Sequence, residues 1–176
     1  WNIKEATRLC QSIRDICPNV LLNISLGYMN QDDSSEECHD ALNSLKNMNP
    51  DLATIRARSI SLSNLIPSSH EVRDSAPCYG YGTPNSTNQL LGLVKKYRIK
   101  PVIECTDTGM VRSVGMYTDV GMVRETIYSF IMGLPTGMPT DTDLLSLIMR
   151  YKRPGYEWQV TALGQADTWA VQQKAA

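Results

Sequence analysis

The chain has 176 residues and a formal net charge of −1, a length that suits one ordinary domain. Lysine and arginine are scattered through the sequence, so no basic surface of the kind that binds nucleic acid is indicated. No apolar run approaches the roughly 18 residues of a membrane span, and no signal region opens the chain. We therefore expect a cytoplasmic protein with neither a nucleic-acid partner nor a membrane partner.

The first half of the chain alternates helices with apolar strands. Apolar residues at helical spacing predict a helix over 3–16. The apolar run 20–26 predicts a buried strand, and a polar loop then leads to a helix over about 35–48. A second strand is predicted at 52–57. Residues 59–87 are rich in Ser, Pro, Gly and Asn without a clear period, which indicates a long loop at the strand ends.

The second half repeats one pattern three times: a β-rich run, a turn rich in glycine or aspartate, and a helix. The predicted strands lie at 101–107, 127–133 and 158–164, and the predicted helices at 85–97, 108–118, 140–151 and from about 165 to the end. Strands that alternate with helices at this spacing indicate parallel β/α units. We therefore predict an α/β fold of about five parallel strands with flanking helices, in a single domain over 1–176.

In a parallel sheet, functional groups gather where strands end and helices begin. The residues expected there are Glu104, Asp107, Thr108, the loop 133–139, Gly164 and Gln165. Glu104 stands out because its strand is otherwise apolar, where a carboxylate is costly unless it is paired or used. The loop 133–139 either lets the backbone approach a ligand closely or is simply a tight turn.

Cysteine and histidine give little sign of a metal or nucleophile site. The five cysteines, odd in number and without CxxC spacing, are Cys10, Cys17, Cys38, Cys78 and Cys105. A nucleophilic Cys105 is one interpretation, but a strand cysteine with no histidine nearby is more typical of packing. The two histidines, His39 and His70, lie far apart in polar surroundings with no ligand pattern, so no metal site is predicted from them.

An ordered series of motifs gives the chain a family resemblance. The motifs are Ile13-Arg14-x-x-Cys17-Pro18, Leu22-Asn23-Ile24-Ser25-x-Gly27, Asn49-Pro50-Asp51-Leu52-Ala53-Thr54, Ile99-Lys100-Pro101-x-x-Glu104-x-x-Asp107-x-Gly109-Met110, Gly133-Leu134-Pro135-x-Gly137-Met138-Pro139 and Trp158-x-Val160-x-x-Leu163-Gly164. Together they resemble the β-keto acid cleavage enzymes, whose type member is 3-keto-5-aminohexanoate cleavage enzyme. The resemblance implies a TIM (β/α)8 barrel. The chain is shorter than the roughly 250 residues of a complete barrel, so it would be an internal fragment that supplies the family's third to seventh strands.

The resemblance also implies a reaction and a cofactor. Family members condense a β-keto acid with acetyl-CoA to give acetoacetate and a new CoA thioester, as in the amino-acid catabolism of lysine fermentation. They use one divalent metal, usually zinc, held by a His-x-His pair and by the Glu of a Glu-Asp pair, and they generally assemble as homo-oligomers. The resemblance implies that the two metal motifs would precede Trp1 and follow Ala176, so we expect the isolated chain to lack the metal ligands and to be inactive.

Catalytic roles are implied by the resemblance for Ser25, Thr54 and Glu104. The two hydroxyls would hold the keto-acid carboxylate, although Ser and Thr at strand ends are also common turn caps. Glu104 would line the pocket, two residues after Val102, where the family usually has an acidic residue. The implied substrate-binding positions are Gly27, Gly133, Pro135, Gly137, Met138 and Gly164.

Two other interpretations stay open. The chain could be a non-catalytic remnant that supports assembly or binds an acyl group. It could also be a doubly wound α/β binding domain, although residues 25–29 lack the GxGxxG loop expected after the first strand of such a domain. If the chain is part of a barrel, its open edges are predicted to be the strands at 20–26 and 157–163.

Overall fold

The computed structural model describes residues 3–26, 44–56, 63–66, 71–74, 84–119, 121–164 and 168–176. These residues form an α/β fold in which one sheet of five parallel strands is flanked by six helices. A second, separate sheet has two antiparallel strands. In the described part of the chain, no helix is both long enough and apolar enough to cross a membrane.

Where the structure describes them, the bounds of most elements agree with the predicted ones to within a few residues. Of the helix predicted over about 35–48, only residues 44–48 belong to the described part of the chain. The helices are α1 (Ile3–Ile16), α2 (residues 44–48), α3 (Pro84–Tyr97), α4 (Thr108–Asp119), α5 (Thr142–Ile148) and α6 (Thr168–Ala175). The strands are β1 (Asn23–Ser25), β2 (Leu52–Arg56), β3 (Ser63–Ile66), β4 (Glu71–Asp74), β5 (Lys100–Cys105), β6 (Ile127–Met132) and β7 (Glu157–Ala162).

The large sheet has the order β1-β2-β5-β6-β7, and every neighbouring pair in it is parallel. This confirms the predicted sequential array, with β1 and β7 as its outer strands. An open parallel sheet with helices on one side fits part of a TIM barrel.

The prediction of one long loop over residues 59–87 is wrong. Two strands lie within that segment, β3 and β4, and they pair antiparallel with Ser63 opposite Asp74 and Ile66 opposite Glu71. Each strand has only four residues. A run this short is hidden by the surrounding Ser, Pro and Gly residues, because a period of two needs several repeats before it can be recognised.

The first strand is also shorter than predicted, because side chains take the place of a strand partner along part of the apolar run. Arg14 donates to the Val20 carbonyl at 2.6 Å, and the Leu22 amide donates to Asp51 Oδ2 at 2.8 Å. Leu21 between them is 71 % exposed. Only residues 23–25 of the predicted strand therefore join the sheet.

Successive side chains along a strand point to opposite faces of the sheet, and the two faces differ in chemistry. The helix-side face packs against the helices and carries Ile24, Ala53, Ile55, Ile103, Cys105, Tyr128, Phe130 and Met132. Its aromatic rings lie close together, with Phe130 5.9 Å from Trp158 and 6.2 Å from Tyr128 between centroids. The opposite face, called the polar face below, carries Asn23, Ser25, Leu52, Thr54, Arg56, Lys100, Val102, Glu104, Ile127, Ser129, Ile131, Glu157, Gln159 and Thr161.

Candidate functional site

Two rows of side chains cross the polar face, because parallel strands in register place equivalent residues side by side. The first row contains Ser25, Thr54, Val102, Ile127 and Glu157. The second row lies two residues nearer the carboxyl ends of the strands and contains Arg56, Glu104, Ser129 and Gln159. The three residues that the resemblance names as catalytic therefore lie in adjacent rows of one face. Ser25 and Glu104 lie at or beside the carboxyl ends of β1 and β5, the end of the sheet where barrel enzymes bind substrates. Thr54, which was expected at a strand end, is the middle residue of β2.

The second row consists of two hydrogen-bonded pairs. Arg56 Nε donates to Glu104 Oε2 at 3.0 Å, and Gln159 Nε2 donates to Ser129 Oγ at 3.0 Å. The Arg56 and Glu104 side chains are 34 % and 23 % exposed, so the ion pair is only partly shielded from water. The arginine answers the question that the sequence raised about a carboxylate in an apolar strand, since Glu104 is paired.

Arg56, Ser129 and Gln159 were missed by the sequence analysis. Arg56 lies in the predicted second strand, directly opposite Glu104 in the register of β2 and β5. The only signal available in the sequence was that a charged residue occupies each of two predicted strands near its carboxyl end. Pairing these two strands in the predicted sequential order would have brought the two charges together.

Ser25 and Thr54 are neighbours in the first row. Their Cα atoms are partners in the register of β1 and β2, and Ser25 is exposed whereas Thr54 is half-buried. Thr54 Oγ1 donates its hydrogen to Asn23 Oδ1 at 3.0 Å, which leaves its lone pairs facing away from Asn23 as acceptors. To donate to a carboxylate, Thr54 would have to exchange this bond. The catalytic roles of the two hydroxyls stay a prediction.

The loop 133–139 is tied to the ends of the two strands beside β6. The Gly133 amide donates to the Met138 carbonyl at 2.7 Å, and the Met138 amide donates to the Thr106 carbonyl at 2.8 Å. Gly133 has φ +91°, and a Cβ there would lie 1.9 Å from the Leu163 carbonyl oxygen. At Gly137, a Cβ would lie 2.9 Å from the Thr106 carbonyl oxygen. The close approaches that these glycines permit in this structure are to the chain's own backbone.

The remaining predicted binding positions differ in exposure. Met138 is buried in the hydrophobic core, and both its amide and its carbonyl bond to the chain's own groups. Pro135 and Gly164 are exposed near the carboxyl ends of β6 and β7. Gly27, like Gln165, lies outside the described residues. Whether any of these positions contacts a substrate stays a prediction.

Asp107 and Cys105, at the carboxyl end of β5, serve the fold. Asp107 Oδ1 accepts from the Met110 amide at 2.9 Å, so this carboxylate caps the start of α4. Cys105 lies on the helix-side face, opposite in direction to Glu104. Burial raises the pKa of the Cys105 thiol strongly, and the charges of Asp107 and Glu104 raise it further. A thiol with a raised pKa is a poor nucleophile, which agrees with the packing role expected for this cysteine.

A catalytic zinc site needs about three protein ligands and an open position. Within the described residues there is no group of three or more His, Cys, Asp and Glu side chains that could hold a metal ion. His39 and His70 lie outside the described residues. The residues of the polar face that the structure describes therefore do not fit the metal that the resemblance implies.

A comparison of the sequence with models of known protein families identifies the family of this chain. The family model described as BKACE, beta-keto acid cleavage enzyme, matches residues 1–176, which is the whole chain. The match spans every strand of the large sheet and both rows of the polar face. The chain belongs to the beta-keto acid cleavage enzyme family.

Proposed function

We propose that the protein carrying this chain exchanges acyl groups between a β-keto acid and acetyl-CoA. The carboxymethylene unit of the keto acid passes from its original acyl group to the acetyl group, which gives acetoacetate. The CoA sulfur passes from acetyl to the released acyl group, which gives the new thioester. Atoms and charge balance without an oxidant or a third reactant. The family match over residues 1–176 is the observation that carries this proposal.

The polar face is where we place the keto acid. Ser25 and Thr54 are adjacent hydroxyls on that face, and hydroxyls can donate hydrogen bonds to a carboxylate without adding charge. Glu104, held by Arg56, lies in the next row towards the carboxyl ends of the strands. The substrate then meets the Ser25 hydroxyl, the Thr54 hydroxyl once it has exchanged its bond to Asn23, and the carboxylate of Glu104 on one surface. The loops that contain Gly133, Pro135, Gly137, Met138 and Gly164 border the same edge of the sheet.

No described residue is assigned to the divalent metal expected for the family, because the described side chains form no metal site. In this proposal the metal ligands come from outside residues 1–176, and acetyl-CoA is the second substrate. The proposal also includes the cytoplasmic location and the homo-oligomeric assembly expected from the resemblance.

The test uses the natural protein that carries this chain, with acetoacetate release measured for a panel of β-keto acids in the presence of acetyl-CoA. Ser25→Ala and Thr54→Ala should each lower kcat/KM by about 10- to 100-fold, since each removes a hydrogen bond to a charged group worth about 1.5–3 kcal/mol. Stability should fall by only about 1 kcal/mol. Thr54→Ser retains the hydroxyl and should restore most of the activity.

Ser146→Ala is the matched control. Ser146 is exposed in α5, and its hydroxyl bonds to the Thr142 carbonyl of its own helix at 3.0 Å, so its loss should leave the kinetics unchanged. If Ser25→Ala and Thr54→Ala kept full activity on every keto acid, these hydroxyls would not contact the substrate, and the site on the polar face would be wrong. If the unsubstituted protein released no acetoacetate from any keto acid, the reaction itself would be wrong and a non-catalytic role would be favoured.

A further inference from the structure

The charged side chains of the polar face occur in two ion pairs. Arg56 and Glu104 are joined at 3.0 Å, and Lys100 and Glu157 are joined at 2.9 Å. These four are the only charged residues of the polar face in the part of the chain that the structure describes. Each cation is matched by an anion, so the described polar face carries no net charge.

The pair of Arg56 and Glu104 lies where the acyl group of the proposed substrate is expected. Both residues belong to the second row, and Arg56 is two residues along β2 from Thr54 in the first row. Two residues of a parallel strand span about 6.6 Å. A keto acid whose carboxylate is held in the first row therefore extends its acyl group past the second row.

The ion pair makes a charged acyl group of either sign unfavourable. An ammonium attracted by Glu104 is repelled by Arg56, whose Nε donates to Glu104 Oε2. A second carboxylate attracted by Arg56 is repelled by Glu104 in the same way. A charged group also loses water when it binds, and a charge that is already neutralised does not compensate for that loss. An uncharged acyl group meets neither repulsion.

The rest of the second row offers no opposite charge. Ser129 and Gln159 are neutral and are joined by a hydrogen bond of 3.0 Å. Ser129 is buried whereas Gln159 is exposed, so the amide of Gln159 is the group of this pair that a substrate can meet. Ile127 and Ile131, on either side of Ser129 along β6, are half-buried. These groups suit an alkyl or a neutral polar acyl group.

A purely structural role for the ion pair is the simpler alternative. Arg56 and Glu104 face each other directly in the register of β2 and β5, and opposite charges on neighbouring strands stabilise a sheet. That role predicts that the loss of Arg56 changes stability alone. A role in specificity predicts a change in the ranking of substrates as well, which a loss of stability does not produce.

We propose that the pair of Arg56 and Glu104 selects β-keto acids whose acyl group is uncharged. Arg56 neutralises Glu104 and so prevents this carboxylate from favouring a cationic acyl group. Glu104 in turn prevents Arg56 from favouring an anionic one. Arg56 is thus a specificity-determining residue of the polar face. This inference names the substrate class of the proposed reaction and rests on the proposed function.

The test compares three keto acids of equal chain length on the natural protein in the presence of acetyl-CoA. They are 3-oxohexanoate, 3-oxoadipate and 5-amino-3-oxohexanoate, whose acyl groups are neutral, anionic and cationic. All three yield acetoacetate, so one assay measures all of them. The kcat/KM for 3-oxohexanoate should exceed the other two by about tenfold or more, because a charge that binds without a partner is disfavoured by at least that factor.

Two variants should change the ranking in opposite directions. Arg56→Gln leaves the charge of Glu104 uncompensated and should raise kcat/KM for 5-amino-3-oxohexanoate, relative to 3-oxohexanoate, by about tenfold. Glu104→Gln should raise the ratio for 3-oxoadipate by about the same factor. Each ratio is taken within one variant, so a general loss of activity cancels. If Glu104→Gln releases too little acetoacetate to measure, the ratio in Arg56→Gln decides.

Arg56→Lys and Arg153→Gln are the controls. Arg56→Lys keeps the cation and should keep the ranking of the unsubstituted protein. Arg153→Gln breaks a different arginine–carboxylate pair, with Asp119 at the end of α4 and away from the polar face, and should also leave the ranking unchanged. Circular dichroism verifies that the variants fold. If Arg56→Gln does not fold, the ranking in the unsubstituted protein decides.

The outcomes separate this proposal from the proposed function. Faster release of acetoacetate from either charged acid than from 3-oxohexanoate would overturn the proposal and leave the proposed function standing. An unchanged ranking in Arg56→Gln would do the same and would favour the structural role. If no keto acid released acetoacetate, the proposed function would be wrong, and the substrate class would fail with it.

Discussion

The two faces of the large sheet are built from the same strands but depend on different interactions. The helix-side face is apolar and buried, and its members hold one another by packing. The polar face is organised by pairs, such as Arg56 with Glu104 and Gln159 with Ser129. Consecutive residues of β5 illustrate the contrast: Glu104 is partly exposed and paired with an arginine, whereas Cys105 is fully buried with a raised thiol pKa. Substitutions on the first face should therefore affect stability, and substitutions on the second should affect binding.

The largest expected effect is on the helix-side face. Phe130 is fully buried between Tyr128 and Trp158, so Phe130→Ala leaves a cavity that its neighbours can fill only in part. We expect the free energy of unfolding, measured by urea denaturation, to fall by about 3–5 kcal/mol. The control on the polar face is Thr161→Ala, an exposed residue of β7, which should cost about 1 kcal/mol or less.

Equal losses in the two variants would break the comparison, because they would mean that the polar face carries as much packing energy as the helix-side face. A small loss for Phe130→Ala alone would indicate that the core can collapse around the missing ring.

A smaller loss of stability is expected for alanine substitutions at two glycines with positive φ, one of which lies at the carboxyl edge of the sheet. Gly133 and Gly155 both have positive φ, of +91° and +81°, but a Cβ at Gly155 meets nothing within 4 Å, whereas one at Gly133 overlaps the Leu163 carbonyl oxygen. Gly155→Ala should therefore lower the free energy of unfolding only by the backbone strain of a positive φ. This strain is usually about 1–3 kcal/mol, and we expect about 1 kcal/mol here. Gly133→Ala should cost more, since β6 and β7 must also move apart. Thermal denaturation of the two variants measures the difference. Equal melting temperatures would show that β6 and β7 can separate around the added Cβ without a loss of stability.

The sequence was sufficient to predict the parallel array, because each strand of it has its own apolar run and each crossover its own helix. The start of α5 illustrates how local the signals for a helix are. Asp141 caps this helix by accepting from the Asp143 and Leu144 amides at 2.6 and 3.0 Å. This cap lies within one residue of the start predicted at residue 140. The antiparallel pair of β3 and β4 was not predicted, because four-residue strands are too short to show an alternating pattern of apolar and polar residues.

The candidate site could be predicted only in part, because its pairings are not local. Glu104 was selected from its apolar surroundings, but its partner Arg56 is 48 residues away along the chain. Similarly, the glycines of the loop 133–139 signalled a close approach, but the group approached by Gly133 is the carbonyl of Leu163, on the next strand. The sequence shows that a position is constrained. Which group constrains it depends on the register of the strands, and that register is known only from the structure.

The smallest expected effect lies at the amino-terminal edge, outside both faces, where Asp51 joins α1 to the sheet. Burial by itself raises the pKa of Asp51, but the hydrogen bond from the Leu22 amide and the pairing with Arg14 outweigh it and hold the pKa below its ordinary value. The carboxyl is about one-third exposed, so water screens the pair. Asp51→Asn should therefore lower the free energy of unfolding at pH 7 by only about 0.2–1 kcal/mol.

The pH dependence separates this ion pair from packing. A carboxyl whose pKa is lower in the folded state than in the unfolded state stabilises the fold fully above the unfolded value of about 3.9. That stabilisation is lost as the pH falls through the lower, folded-state pKa, because the carboxyl is then protonated in both states. The difference between the unsubstituted protein and Asp51→Asn should thus stay constant from pH 7 to about pH 5 and disappear at the acid end. Asp15→Asn, at an exposed position beside Arg14, controls for the loss of one negative charge. If the difference for Asp51→Asn persisted unchanged at the lowest pH at which the protein stays folded, Asp51 would act by its shape and its hydrogen bond to Leu22 and not by its charge.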